Sequence, residues 1–493
     1  MVSSGAATGG GAAITLAPVE FATAADGAEQ TRTVRGHLET GAPDFVYLPV
    51  RVPRGVRRIA VSYTYDSPAV PPGTHGNALD IGVFDERGTD LPGRGFRGWS
   101  GGARTGFAIS AEEATPGYLA GPVNEGTWHV ALGPYTVAPG GLDYEVTVTL
   151  THGATGSTPR PVYPPERAAG RGRAWYRGDS HLHSVHSDGR RTPAEIAAAA
   201  RAGGLDFIVT TEHNTPAGHR AWEGLWGDDL LVLCGEEVTT RNGHYLALGI
   251  DPGTFIDWRY RARDDAYARY ARRVHEAGGL VVPAHAHATC IGCSWRFGFR
   301  EADAVEVWNG SWTPDDELAL AGWESMLRAG GWLPAMGNSD SHREPDPVGL
   351  PQTVVLAEDL SRRAILAAIA SGHSYLAESS AVELSFGVGD EHGHHAGIGE
   401  RLDSRPDASV TARLTVSGVP GGTARILSDQ GLMRAEPLPA DGAGEVTWRT
   451  TVRNAAHVRA EVRHAPPAGG LPGVPGPMAA MTNPVWLGGD RDR

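Results

Sequence analysis

The sequence predicts a central α/β domain between two β domains, and three observations carry that reading. Period-two runs separated by Gly and Pro fill the first part, β-like runs alternate with helix-like stretches in the middle, and period-two runs return after Ala381. The chain has 493 residues, more than a typical domain of about 100 to 200, which also points to two or three domains.

The first β domain is placed at 15–152, where Val46–Val50, Ile59–Tyr65, Ala78–Phe84, Trp128–Leu132 and Tyr144–Thr151 alternate as the strands of a β-sandwich do. Residues 153–173 are rich in Gly, Pro and Arg with no apolar period and read as a linker. The central domain, 174–380, carries the β-like runs Asp206–Thr211, Leu230–Val238, Leu280–Ala284, Ala304–Trp308 and Trp332–Met336. Helical character falls on Pro193–Ala202, Arg263–Ala277, Pro314–Arg328 and Leu360–Ala370. Such alternation implies parallel strands, in an α/β barrel or an open sheet. Residues 381–489 form a second β-rich domain, with Val382–Phe386, Ser409–Val416, Glu445–Val452 and Val458–Arg463 as its runs.

Composition narrows the chemistry. With 41% hydrophobic and 20% charged residues the chain can bury a sizeable core. Its formal charge of -14 opposes the wrapping of a polyanion, leaving nucleic acid only as a short oligonucleotide. There is no lysine, so Schiff-base and P-loop chemistry are excluded. Three cysteines are too few for a disulfide framework; Cys290 and Cys293 in CIGC read as a packing pair or a loop-stabilising disulfide. The Arg-rich stretch from Trp258 to Arg273 contains acidic residues and reads as a solvated amphipathic face. Met1–Ala13 has no basic start or apolar stretch, which gives a cytoplasmic default, or secretion if a leader is missing. No apolar run of about 18 residues suggests a membrane span.

The apolar runs of the middle region end in residues of metal-ligand types. In order these are GDSHLHSVHSDG, TTEHN, GEEVTTRNGHYLALG, VVPAHAH and GNSDSH. At the carboxyl ends of parallel strands, side chains from different strands converge on one site. His181 and His183 are two apart, so on a strand both imidazoles face one way and can share an ion; Asp340 and His342 repeat the spacing. Imidazole with carboxylate suits zinc, manganese or iron, and a carboxylate such as Glu237 can bridge two ions.

Together HLHSVHSDG, TEHN, GEE, PAH and SDSH resemble the successive motifs of the PHP (polymerase and histidinol phosphatase) superfamily, over about Gly178 to His342. Within it the chain is most similar to the carbaryl-hydrolase-like group, which its flanking segments RGWSGGAR and MTNPVWL also resemble. The resemblance implies a distorted (β/α)7 barrel holding two or three divalent ions. It implies His181, His183, Glu237 and Asp340 around one ion, Glu237, His244 and His285 around a second, and Asp188, His213 and His342 around a third. Asp188 stands where some members have histidine. Glu236 and Glu237 face opposite ways on a strand, and alignment with the family's G-x-E favours Glu237. His285 follows its apolar run directly and is preferred to His287, and Asp188 is preferred to His186.

The expected activity is hydrolysis by a metal-bound hydroxide, with Asp188, Asp340 or His342 moving protons. A phosphoesterase acting on a small, anionic phosphorylated molecule or nucleotide is the first reading. A carbamate or carboxyl-ester hydrolase, a 5'-3' exonuclease on short oligonucleotides, and a non-catalytic glycan- or partner-binding protein are the alternatives. Arg296, Trp308 and Asn309 are candidates for the substrate pocket, Arg296 by pairing an anionic group.

Overall fold

The computed structural model of the chain describes residues 14–466 and 475–489. The stretch Met1–Ala13, where no leader is expected, lies outside the described residues. Two compact units form. One comprises the described residues up to Val162 with Val185–Asp188 and His213–Gly218; the other comprises Tyr163–Ser184, Gly189–Glu212 and the described residues from His219 onward.

The first unit has eight strands: β1 (Glu29–Leu38), β2 (Val46–Val52), β3 (Val56–Tyr65), β4 (Ala78–Phe84), β5 (Phe96–Gly101), β6 (Gly106–Ser110), β7 (Gly126–Thr136) and β8 (Leu142–His152). They pair antiparallel into two sheets, β1-β8-β3-β6 and β2-β7-β4-β5. In β2 every second side chain is buried, as a sheet with one wet face requires. The buried sides of both sheets meet in one core that includes Leu48, Ile59, Ile81, Trp128 and Val148.

The second unit begins with β9 (Ala174–Asp179), α1 (Pro193–Ala202), β10 (Phe207–Thr210), β11 (Leu231–Thr240) and β12 (Gly243–Leu248). There follow α2 (Tyr267–Glu276), β13 (Leu280–Ala284), β14 (Val305–Asn309), α3 (Pro314–Arg328), β15 (Ala335–Asn338), β16 (Gln352–Ala357), α4 (Arg362–Ala370) and β17 (Ser374–Ala377). Local chemistry sets the helix starts: Thr192 and Glu195 make a capping box around Pro193, and Ser361 Oγ accepts from the Ala364 N–H.

The expected regular alternation is only partly present. β9, β10 and β11 are parallel neighbours, and β14 and β15 form a separate parallel pair. However, β12, β13 and β16 run antiparallel to their partners, and the described residues hold only four α-helices. The reason at β11–β12 is length: Arg241 and Asn242 alone separate the strands, while a parallel return needs a crossover of about a dozen residues. Phe207, Val209, Leu233, Leu246, Val282 and Met336 pack into the core beneath these strands.

The remaining strands are β18 (Glu383–Asp390), β19 (His395–Gly397), β20 (Arg401–Leu402), β21 (Ser409–Ser417), β22 (Thr423–Ser428), β23 (Gly431–Pro437), β24 (Gly444–Thr451), β25 (His457–Arg463), β26 (Met478–Thr482) and β27 (Val485–Leu487). A four-stranded sheet, β19-β18-β21-β24, shares its core with the strands around β25. β26 pairs with β17, so the large central sheet continues into this region by backbone hydrogen bonds. No helix among the described residues is long and apolar enough to cross a membrane.

Two buried histidines make stability depend on pH. His219 donates from Nε2 to Gly235 O at 2.8 Å and accepts the Gly253 N–H on Nδ1 at 3.0 Å, so its ring is held neutral. Burial pushes the pKa of His219 and of His457 down to about 4. A depressed folded-state pKa gives stability that is complete above the ordinary value near 6.5 and is lost as pH falls through the window toward 4. The linkage relation gives a loss of about 2 kcal/mol per histidine at pH 5. Urea unfolding at pH 7.5 and pH 5 should show this drop, and His457→Leu should remove its share; equal stabilities at both pH values would contradict it.

Candidate metal centre

The site assembles from the carboxyl ends of the strands in the second unit. β9 ends at Asp179, and the chain continues extended through His181, Leu182 and His183. Leu182 bridges to Ser341 and packs into the core, which turns both imidazoles to the opposite side. In the β11–β12 hairpin Thr239 lies opposite His244, so Glu237, two residues before Thr239, shares a face with that histidine. His285 follows the last residue of β13.

Glu237 divides its two oxygens between two groups of histidines. Oε2 lies 3.2 Å from His181 Nε2 and 3.3 Å from His183 Nε2. Oε1 lies 3.0 Å from His244 Nδ1 and 3.2 Å from His285 Nε2. Asp340 completes the first group, with Oδ1 at 3.3 Å from His181 Nε2 and 3.0 Å from His183 Nε2. Within the second unit, three sets of described residues have ligand atoms mutually within 4.8 Å: His181, His183 and Glu237; His181, His285 and Asp340; and Glu237, His244 and His285.

The donor set fits a divalent cation. His181 Nε2 and Asp340 Oδ1 are buried and make no hydrogen bond, a costly state for polar atoms unless a cation sits between them. Mixed imidazole and carboxylate donors suit zinc, manganese or iron. Burial opposes a proton on His181, but Asp340, Glu306 and Glu237 outweigh it and hold its pKa well above 6.5. His285 is raised too, by Glu237 acting against burial. Burial works to raise Asp340, yet His181, His183 and His342 hold its carboxyl far below the usual range. The cluster therefore draws positive charge to itself. His285 and Asp340 both have positive φ, 29° and 50°, in a region that ordinary residues occupy at a cost and that concentrates at functional sites.

Of the residues expected around a third ion, Asp188 and His213 belong to the first unit and His342 to the second. In the first unit, His213 Nε2 lies 3.5 Å from Asp188 Oδ1. In the second, the His342 ring stacks on His183 with centroids 4.2 Å apart, and its Nδ1 lies 2.8 Å from Asp340 O. Glu236, as its neighbour's orientation dictates, turns away and accepts the Ile256 N–H at 3.1 Å, with its pKa raised by burial.

The three pocket candidates separate. Asn309 Nδ2 donates to Glu306 Oε2 at 3.0 Å and to Asp340 Oδ2 at 3.3 Å, at the site itself. Trp308 points into the core with Leu320 and Trp323, and its indole N–H donates to Gly310 O. Arg296 is exposed on the loop after β13, where its backbone N–H donates to Asn242 O. A cavity of about 130 Å³ is lined by His285, His287, Glu306, Asn309, Asp315 and Asp316, among others.

Sequence reasoning missed the carboxylates that hold the ligands. Glu306, buried in β14, accepts from His181 Nδ1 at 3.1 Å, from Asn338 Nδ2 at 2.9 Å and from the His285 N–H at 2.9 Å. Such outer partners orient ligand rings. Asp179 accepts the N–H groups of His181, Ser339 and Gly349, and burial raises it to about 6. Glu212 binds the Ser184 N–H. The signal for Glu306 was a carboxylate inside the apolar run AVEVW, which can be buried only with partners.

Cys290 and Cys293 form a disulfide with Cα atoms 5.4 Å apart. Its loop is tied to the β11–β12 turn by the Gly243 N–H to Gly292 O bond. Closing so short a loop is worth about 2 kcal/mol by chain entropy. Replacing both cysteines by Ser should lower the thermal midpoint while leaving the metal content per chain unchanged; loss of one ion per chain would make them ligands.

No family model and no curated protein matches the chain. Among solved structures it is similar to a two-domain protein from Bacteroides vulgatus containing a predicted PHP-like metal-dependent phosphoesterase. Identity is 17%, covering 62% of this chain and 95% of that one, with a TM-score of 0.36. It is also similar to a candidate metal-dependent phosphoesterase from Bifidobacterium adolescentis, at 22% identity over 40% and 93% of the two chains, TM-score 0.25. A third is an amidohydrolase from Chromobacterium violaceum with bound sulfate, at 21% identity over 35% and 89%, TM-score 0.25.

Proposed function

We propose that this chain is a metal-dependent hydrolase of the PHP type that cleaves a small phosphoester. The observation that carries the reading is the division of Glu237 between His181 and His183 on one oxygen and His244 and His285 on the other. On the motif resemblance, the finer fold of 174–380 is proposed as a distorted (β/α)7 barrel between β domains at 15–152 and 381–489, and Asp188 and His213 as further ligands.

Two or three cations held here, zinc, manganese or iron, would supply a Lewis acid and a nucleophile at neutral pH. The chain's own residues do the positioning. Glu306 on His181 Nδ1 aims Nε2 at the site, and Asn309 on Asp340 Oδ2 leaves Oδ1 toward the histidines. The contact of His342 Nδ1 with a backbone oxygen places the proton on Nδ1 in the neutral ring, so Nε2 is the nitrogen that ligates or accepts a proton. His342, through Nε2, is thus the group in this unit suited to proton transfer, and Asp340 is proposed beside it as the group that orients the histidines.

Phosphoester chemistry is favoured by two exposed arginines at His342: Arg343 follows it in the chain, and the Arg190 N–H donates to its backbone oxygen at 2.7 Å. A second reading, cleavage of an uncharged ester or aryl carbamate, is favoured by the cavity beside His285, whose lining carries carboxylates and no arginine. A panel of phosphomonoesters, nucleotide bisphosphates, short oligonucleotides and aryl carbamates, assayed on protein of known metal content, separates the two. Metal-dependent turnover of a phosphomonoester is expected. Turnover of carbamates alone would install the second reading, and metal content below one ion per chain after zinc or manganese reconstitution would remove both.

A further inference from the structure

Strand β25, HVRAEVR, buries both of its faces. Val458, Ala460 and Val462 enter the core of the C-terminal region, while Arg459, Glu461 and Arg463 on the opposite face are only 1%, 1% and 3% exposed. Three charged side chains on one buried strand face are rare, because each must be paired. Here helix α3 covers them. Arg459 pairs with Glu324 and Glu461 and lies over the Trp323 ring at 5.6 Å. Arg463 pairs with Glu317 and with Glu461 and lies over the Trp312 ring at 5.2 Å. Glu461 also takes Arg425 at 2.8 Å.

Apolar residues would hold two such surfaces together at least as well, since buried ion pairs seldom add net stability. What a charged network adds is a defined register, because sliding the helix by one turn would strand several buried charges. That register reaches the metal cluster. Glu317, which binds Arg463, also accepts the Trp312 indole N–H at 2.7 Å. Its neighbour Asp316 accepts the Asn309 N–H at 2.9 Å and the Thr313 N–H at 2.6 Å, so it fixes both ends of the turn between β14 and α3. Asn309, at the start of that turn, donates to Asp340 and Glu306.

We propose that Arg463 and Glu317 are positioning residues for the metal centre: the C-terminal β region sets the register of α3 and thereby holds the Asn309 amide against Asp340. The proposal rests on the reading of the cluster as a metal site. It gives the C-terminal region a part in building that site rather than the role of a separate binding module.

The test is zinc affinity of the full chain, measured by competition with a chromophoric chelator, for wild type, Arg463→Met, Glu317→Gln, Asn309→Ala and the double variant Arg463→Met/Asn309→Ala. Outer partners of metal ligands typically contribute about 10- to 100-fold in affinity. Asn309→Ala is expected to weaken zinc by about 10-fold, Arg463→Met and Glu317→Gln by roughly 5-fold each, with Arg463→Met adding nothing once Asn309 is gone. Circular dichroism and thermal melts establish which variants fold; if Arg463→Met does not, the partly exposed Glu317→Gln carries the test alone and in the Asn309→Ala background. Wild-type affinity in the folded variants, or losses that add in the double variant, overturns the proposal. A wild-type chain that binds no zinc refutes the metal-site reading, a result distinct from unchanged variants of a zinc-binding wild type.

Discussion

Replacing His181 and His183 together by Ala is expected to lower the metal content by at least one ion per chain and to abolish hydrolysis, with activity falling by at least about 1,000-fold. Both rings are fully buried, and both approach the same oxygens of Glu237 and Asp340, so the variant removes two nitrogens from one point of the cluster. The variant removes imidazoles that balance two buried carboxylates, and protonation of Glu237 or Asp340 is the route by which the folded chain can accommodate that loss. The first unit, whose core contains neither residue, should keep its fold, visible as retained β-sheet circular dichroism. Full turnover in the double variant would place the active site elsewhere.

The sequence carried most of the site because its signals were local. Pairs such as His181 with His183 and Asp340 with His342 announce one shared face from spacing alone, and each sits just past an apolar run. The helices were legible for the same reason: Thr192-Pro193 with Glu195 and Thr313-Pro314 with Asp316 are complete start signals, and α1 and α3 begin where these place them.

The strand directions were harder. β-like runs alternating with helices were read as parallel throughout, yet the Asn242-Gly243 pair inside GEEVTTRNGHYLALG is a hairpin signal that turns β12 back along β11. That reversal is what brings His244 to Glu237. Glu306 and Asp179 are harder to read for a different reason: a single carboxylate has no periodicity, and although the run AVEVW marks Glu306 as buried, its partners appear only when strands distant in sequence meet around it. Trp308 is a pocket candidate by its place between ligand motifs, but neighbours on a strand face opposite ways, and its indole packs in the core.

Asp340→Asn is the sharper probe of the chemistry, because it keeps the side chain's size and removes only its charge. Asp340 Oδ1 lies within 3.3 Å of His181 Nε2 and His183 Nε2, while Oδ2 accepts the Asn309 amide. An asparagine can present an oxygen to one side, but its NH2 group must then face either the Asn309 donor or the place where a cation would sit among the histidines, and it can bind neither. The carboxylate's charge, held far below its usual pKa by three histidines, is lost at the same time. Cation affinity should therefore fall by more than about 100-fold, beyond the range for removing an outer partner of a ligand. Turnover at saturating metal should fall by a similar factor, with KM for the preferred substrate changing much less, because the loss is in the reacting geometry rather than in substrate capture. Equal metal affinity and equal kcat in Asp340→Asn would exclude this carboxylate from the centre. A change confined to KM would instead make it a substrate contact.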